Sequence, residues 1–151
     1  METCIGCNFA GGTDTPPGGL LVRTDRWILN HCIGPLGLST LVLAPTRHVV
    51  RVADLTDTEV HEFAELMQQA ARLIDSILGP EQTYVCLWSH GPDGPHHLHW
   101  VVQPVSRELV DLYAGRRSEA LQLAMFEADE YPERSEIEAF CQTARGLLSA
   151  R

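Results

Sequence analysis

The chain carries seven histidines and five cysteines, and four of the histidines fall within ten positions. They belong to the stretch His90 to Pro104, which closes on Pro95-His96-His97-Leu98-His99-Trp100-Val101-Val102-Gln103-Pro104. Read as a strand, this run puts His97, His99, Val101 and Gln103 on one face and Leu98, Trp100 and Val102 on the other. The apolar set is complete on its own face, so the opposite face is free for chemistry. An imidazole there can ligate a metal or attack phosphorus at neutral pH. Two histidines two apart can also share one ion with no catalysis at all, and a solvated strand with two idle histidines is the plainest alternative.

His99 is the candidate nucleophile. A neutral ring nitrogen attacks phosphorus to give a phosphoramidate, labile enough for water or another acceptor to finish the exchange. Such chemistry needs a proton for the leaving group and donors for the phosphate oxygens; His90, His96, Ser89 and Gln103 lie near enough in sequence to serve. A second constellation combines Cys4 and Cys7, a Cys-x-x-Cys pair, with His48 and His97. Zinc prefers four N/S donors in a tetrahedron, and two cysteines in one tight turn supply half of that. The other two donors are distant in sequence, so this is no zinc finger, and a Cys-x-x-Cys without metal stands as the alternative.

The elements that would position these groups read as an antiparallel α+β domain. Residues 1–18 read as an irregular arm rich in Gly and Pro. Leu20–Arg23 and Arg26–Asn30 form a hairpin across Thr24-Asp25, and Ser39–Ala44 a third, buried strand. Thr56 and Glu59 have the form of a capping box, opening a long helix whose apolar positions run from Val60 to Leu78 and which stops at Gly79-Pro80. His61 falls on its polar side. Thr83–Ser89 is a fourth strand, joined by His90–Pro95 as a hairpin loop to the histidine strand. Ser118–Glu127 and Ser135–Leu148 are helices, the second striped by Ile137, Phe140, Cys141, Ala144, Leu147 and Leu148.

Composition narrows the partners. At 151 residues the chain suits one domain. Its net charge is −9, and all eleven basic residues are arginine. Such a surface disfavours an extended polyanion, so no DNA or RNA partner is expected, while a small phosphorylated ligand remains compatible. No apolar run reaches the roughly 20 residues of a membrane span, and the first residues lack the pattern of a secretory leader. An odd cysteine count suits a reducing compartment, and a cytoplasmic location is expected.

His97-Leu98-His99-Trp100-Val101-Val102-Gln103-Pro104 resembles the signature of the histidine triad (HIT) family, in which three histidines alternate with apolar residues. Thr40–Ala44 followed by Pro45-Thr46-Arg47-His48 is similar to that family's strand ending in Pro-x-x-His, Leu55-Thr56-Asp57 to the start of its central helix, and Cys4-Ile5-Gly6-Cys7 to the zinc-binding pair of many members. Together these cover residues 1–107, and 108–151 form a C-terminal helical extension on the same domain. The resemblance implies a five-stranded sheet with one long helix, a structural zinc on Cys4, Cys7, His48 and His97, and a homodimer. It implies hydrolysis or transfer at the α-phosphate of a nucleotide ester, anhydride or phosphoramidate, with His99 at the nucleophile's position. A shifted register would make His97 the nucleophile and Pro95 the first position. The runner-up function is a catalytically weak binding module for a nucleotide or small anion around a structural zinc. A zinc hydrolase with an open site is the third, and a complete Cys2His2 set leaves it no water position.

Three departures mark this chain. Val101 replaces the third histidine. His31 stands where many members have the aspartate that holds the ribose. The segment Gly91–His96 lacks the family's usual serine. Gln103, with His90, is expected to supply the missing phosphate contact, and Asn30, His31, Ser89 and His96 to contact substrate.

Overall fold

The computed structural model describes residues 4–91 and 94–150. Its centre is a five-stranded antiparallel sheet in the order β1-β2-β3-β5-β4, from β1 (Leu20–Arg23), β2 (Trp27–His31), β3 (Leu41–Pro45), β4 (Gln82–Cys86) and β5 (Trp100–Val105). The registers Trp27↔Pro45, Leu29↔Leu43, Leu43↔Trp100 and Leu41↔Val102 align one alternate set across three strands. Trp27, Leu29, Leu41, Leu43, Trp100 and Val102 therefore share a face, and this face forms the main core.

Helix α2 (Asp57–Leu78) covers that face. Both halves of its capping box are present: Glu59 N–H donates to Thr56 Oγ1 at 3.3 Å, and Thr56 N–H to Glu59 Oε2 at 2.7 Å. Gly79 ends it in the left-handed conformation (φ 54°), as a C-terminal glycine permits. Leu66, Ala70, Leu73 and Ile74 face the sheet, and Phe63 packs on Trp100 with ring centroids 4.4 Å apart. Val60 and Leu78, at the ends of the expected stripe, are exposed.

The sequence left three elements unmarked or misplaced. Residues 5–11 are not irregular but a two-turn helix, α1 (Ile5–Gly11), too short for periodicity to show and without a side-chain cap. Its Phe9 and Ala10 pack on Ile28 and Ala44, on the sheet face opposite α2. A short helix, α3 (Arg107–Leu112), follows β5 and is capped by Ser106. The histidine segment is not a strand before Trp100, because Leu98 N–H leaves the ladder to donate to Val49 O at 2.7 Å. Pro92 and Asp93, in the expected hairpin loop, lie outside the described residues.

The C-terminal helices divide between the two faces. Helix α5 (Arg134–Ser149) brings Ile137, Phe140, Cys141 and Ala144 into the main core beside α2. Helix α4 (Ser118–Ala128) lies on the other face, where Leu121 and Met125 pack with Val101, Val105, Cys32 and Leu36. Among the described residues no helix is long and apolar enough to cross a membrane.

Candidate active site and metal centre

Two sites meet at the histidine segment. The first joins α1, the end of β3 and the approach to β5. Cys4 Sγ lies 3.3 Å from His97 Nδ1, Cys7 Sγ 3.6 Å from the same atom, and Cys7 Sγ 3.4 Å from His48 Nδ1. All four donor atoms fall within 4.8 Å of one another. A tetrahedron with Zn–N and Zn–S bonds of about 2.0–2.3 Å has edges of about 3.3–3.8 Å, so these spacings are those of donors around one ion. The chemistry of the set agrees, since two thiols and two imidazoles fill a closed zinc site. His97 Nε2–H donates to Pro45 O at 2.9 Å, which fixes the tautomer and turns Nδ1 toward the thiols. Burial and the neighbouring Cys4 thiol push the Cys7 thiol up to about 11, so an arriving ion must displace its proton.

The approach of α1 to His97 depends on Gly6. A Cβ there would meet the His97 ring at 2.6–2.9 Å. Nothing in the sequence marked this glycine, because its neighbour comes from the far end of the fold.

Arg47, beside the ligand His48, is tied to the start of α2. Its Nε donates to Glu59 Oε1 at 2.6 Å and its Nη2 to Glu59 Oε2 at 2.8 Å. The Glu59 carboxylate, 3% exposed, thus serves both the helix cap and the anchor of the ligand strand. The Arg47 guanidinium outweighs the cost of burial and, with the Thr56 donors, holds Glu59 down at about 2.

The second site is a cavity of about 350 Å³ on the sheet face opposite α2, lined by His99, His96, Ser89, Asn30 and Val101 among others. His99 Nδ1 lies 2.8 Å from His97 O. A carbonyl only accepts, so Nδ1 carries the proton, and Nε2 of this cavity-lining ring has no hydrogen-bond partner among the described residues. His97 has no such freedom: one nitrogen faces the thiols and the other holds Pro45 O. His90 is exposed, edge-on to His96 at 4.7 Å between centroids.

Two expected substrate contacts are corrected. Gln103 is fully buried, and its amide is committed elsewhere: Nε2 donates to Leu36 O at 3.0 Å and contacts Met125 Sδ at 3.2 Å, while Oε1 accepts from Gln122 Nε2 at 2.9 Å. It does not line the cavity and does not replace the third histidine. His31 shares the α2 face with Trp27 and Leu29, so period two turns it away from the cavity. Its Nδ1 donates to Cys32 O at 2.7 Å, its Nε2 accepts from Ser39 N–H at 2.9 Å, and its ring meets Phe140 edge-on. Burial accordingly lowers its pKa, and it is a core histidine. Its neighbour Asn30 faces the cavity, with Nδ2 donating to His31 O at 2.8 Å. Trp88 and Phe126, which also line the cavity, were not anticipated; Trp88 falls inside the expected strand Thr83–Ser89, whereas the strand ends at Cys86.

The fold has counterparts among solved structures. A zinc-bound histidine triad family protein from Mycobacterium smegmatis superposes with a TM-score of 0.68 at 19% identity, covering 98% of this chain and 96% of that one. A histidine triad nucleotide-binding protein from Sulfolobus tokodaii gives 0.72 at 12% identity, covering 97% and 93%. The chain has the histidine triad fold. A HIT family hydrolase from Legionella pneumophila shares it at a TM-score of 0.53 and 18% identity, over 67% of this chain and 91% of that one. No family model and no curated protein matches the sequence. Within this fold, the Cys4, Cys7, His48 and His97 cluster could hold a zinc ion, and the Mycobacterium smegmatis protein that shares the fold is zinc-bound.

Proposed function

We propose that this chain is a nucleotidyl hydrolase or transferase acting at the α-phosphate of a nucleotide ester, anhydride or phosphoramidate, with His99 as nucleophile. One observation carries the reading: of the two candidate imidazoles, His97 has both nitrogens engaged, whereas His99 lines the cavity and its Nε2 has no hydrogen-bond partner among the described residues. This favours the register with His99 in the second position over the one that begins at Pro95. The Nε2 lone pair forms a bond to phosphorus as the bond to the leaving group breaks, and the leaving group takes a proton from His96, which also lines the cavity. Water then attacks phosphorus and returns a proton to His96, and the N–P bond breaks to restore His99. Ser89 and Asn30 are available as donors to substrate oxygens. Zinc on the Cys2His2 set is structural in this reading, holding His97 and with it the carbonyl that orients His99. Membership in the HIT family, a homodimer and a cytoplasmic location complete it.

The test is rapid quench and mass spectrometry with a panel of nucleoside phosphoramidates, dinucleoside polyphosphates and nucleotide sugars. The expected result is a nucleotidyl adduct on His99, and turnover abolished in His99→Ala. An adduct on His97, or full activity in His99→Ala, overturns it. The binding-module reading is favoured by one feature: Val101, 4% exposed, offers no donor at the third triad position, and Gln103 does not replace it. Tight nucleotide binding with no adduct across the panel would select that reading.

A further inference from the structure

The chain turns from β2 into β3 through residues 32–40, and this loop gives Cys32, Ile33, Gly34 and Leu36 to the cavity wall. Apolar burial secures it only in part, since Leu36 is buried but Ile33 and Leu38 are exposed. The rest of its hold is polar. Leu36 O accepts from Thr40 Oγ1 at 2.7 Å, and Cys32 N–H donates to Thr40 O at 2.8 Å.

The base of the loop is spanned by one ring. His31 Nδ1–H donates to Cys32 O at 2.7 Å and Ser39 N–H donates to His31 Nε2 at 2.9 Å, so a single imidazole joins the loop's first residue to its next-to-last. Ser39 is buried and has a φ of 71°, a left-handed conformation that a residue with a Cβ keeps only where its surroundings impose it. A buried backbone donor also needs a partner, and His31 is that partner. The carbonyl of His31 accepts from Asn30 Nδ2 at 2.8 Å, so the same residue orients the neighbouring side chain that faces the cavity.

The core asks only for the volume of this ring. On the α2 face it meets Phe140 edge-on, a contact that any aromatic side chain can make. Both of its nitrogens are engaged instead by backbone of the loop. A neutral imidazole offers one donor and one acceptor on a rigid frame, which is what a carbonyl and an N–H require; an imidazolium has two donors and would oppose Ser39 N–H. Burial, which lowers the pKa of His31, keeps the ring in its neutral form.

Resting on the nucleotidyl-transfer reading above, we propose that His31 is a positioning residue for substrate binding: it clamps the base of the 32–40 loop from the core side and so sets the cavity wall against which the uncharged part of the nucleotide rests. His31 touches no substrate and acts through Cys32 and Ser39. The phosphate meets His99 on another segment, so loss of the clamp raises KM and leaves kcat nearly unchanged.

The test is calorimetric binding of adenosine and guanosine 5′-monophosphates, which needs no turnover, joined to hydrogen exchange read by mass spectrometry. His31→Phe keeps an aromatic ring against Phe140 but has neither donor nor acceptor. It is expected to bind both nucleotides about tenfold or more weakly than wild type, the kind of loss that a displaced binding wall produces. Exchange should rise in 33–39 and stay unchanged in α2, which a general loss of stability would not spare. His31→Gln, whose amide again offers a donor and an acceptor, should recover affinity to within about threefold of wild type. In the wild-type protein, where no variant has to fold, saturating adenosine monophosphate should slow exchange in 33–39. Full nucleotide affinity in His31→Phe, a His31→Gln protein that binds no better than His31→Phe, or no protection of 33–39 by the nucleotide overturns the proposal. Absence of a His99 adduct in the wild-type protein overturns the transfer reading alone, since affinity and exchange are measured without turnover.

Discussion

A single missing side chain lets the metal centre close. Gly6 brings α1 against His97, where a methyl group would meet ring atoms at 2.6–2.9 Å. Because those are atoms of a ligand held at both nitrogens, the ring cannot swing aside without losing a bond. Gly6→Ala is expected to weaken zinc binding by about 10- to 100-fold, the usual cost of disturbing the groups that orient a ligand. Competition with a chromogenic chelator measures it. Gly11→Ala is the control, since a Cβ there meets nothing within 4 Å. The donors Cys4, Cys7, His48 and His97 were legible because their types and order carry the chemistry. Gly6 was not, because its reason lies in a neighbour brought by tertiary structure, and neither were the orientations of Gln103 and His31. His31 sits on a strand, where residue type says "polar" but only the register says which face; Gln103 is on the expected face, where α4 covers it.

At the scale of the element, Glu59 links the start of α2 to the end of β3. Its carboxyl is held at about 2, against an ordinary 4.5. A group depressed in the folded state adds stability that is complete above its unfolded pKa and fades as pH falls toward the folded one. The window is therefore about pH 4.5 down to 2, and the contribution is about 2–3 kcal/mol once the half-exposed Arg47 partner is discounted for screening. Urea denaturation at pH 7 should show Glu59→Gln less stable than wild type by that amount, with the gap closing as pH is lowered through the window. A gap that stays constant to pH 2.5 would remove the coupling. Long elements announced themselves: α2 by its box and stripe, α5 by Ile137, Phe140, Cys141 and Ala144. The two-turn α1 and the one that Ser106 caps were too short to show a period, and the histidine run changes direction at Leu98, whose N–H finds Val49.

The molecule as a whole is clasped by its last residues. Helix α5 completes the core on one face, and α4 packs on the other, where its Phe126 lines the cavity. The zinc cluster acts at the same scale, joining α1, the turn after β3 and the approach to β5. Chelation is expected to raise hydrogen exchange in α1 and at Leu98 first, with β1 and β2, which pair through their own ladder, protected for longer. Mass spectrometry of the exchanged peptides reads this directly, and uniform loss of protection would show that the ion holds the entire domain. The apolar stripe of α5 could be read from sequence, while α4 could be read only as a helix. The division of the two between opposite faces could not, because nothing local says which side of a sheet a helix will choose.

The strand order has a consequence for how the chain is made. β5 lies between β3 and β4, both of which precede it in the chain. While the polypeptide emerges from the ribosome, β1, β2 and β3 can pair in turn, but β4 has no neighbour until β5 slides into the gap. Three of the four zinc donors are in place by His48, and the fourth arrives at His97, three residues before that strand begins. Insertion of the last strand and completion of the metal centre are then one event. A nascent chain would wait in a partly ordered, three-donor state for almost fifty residues, open to wrong metals and to chaperones alike.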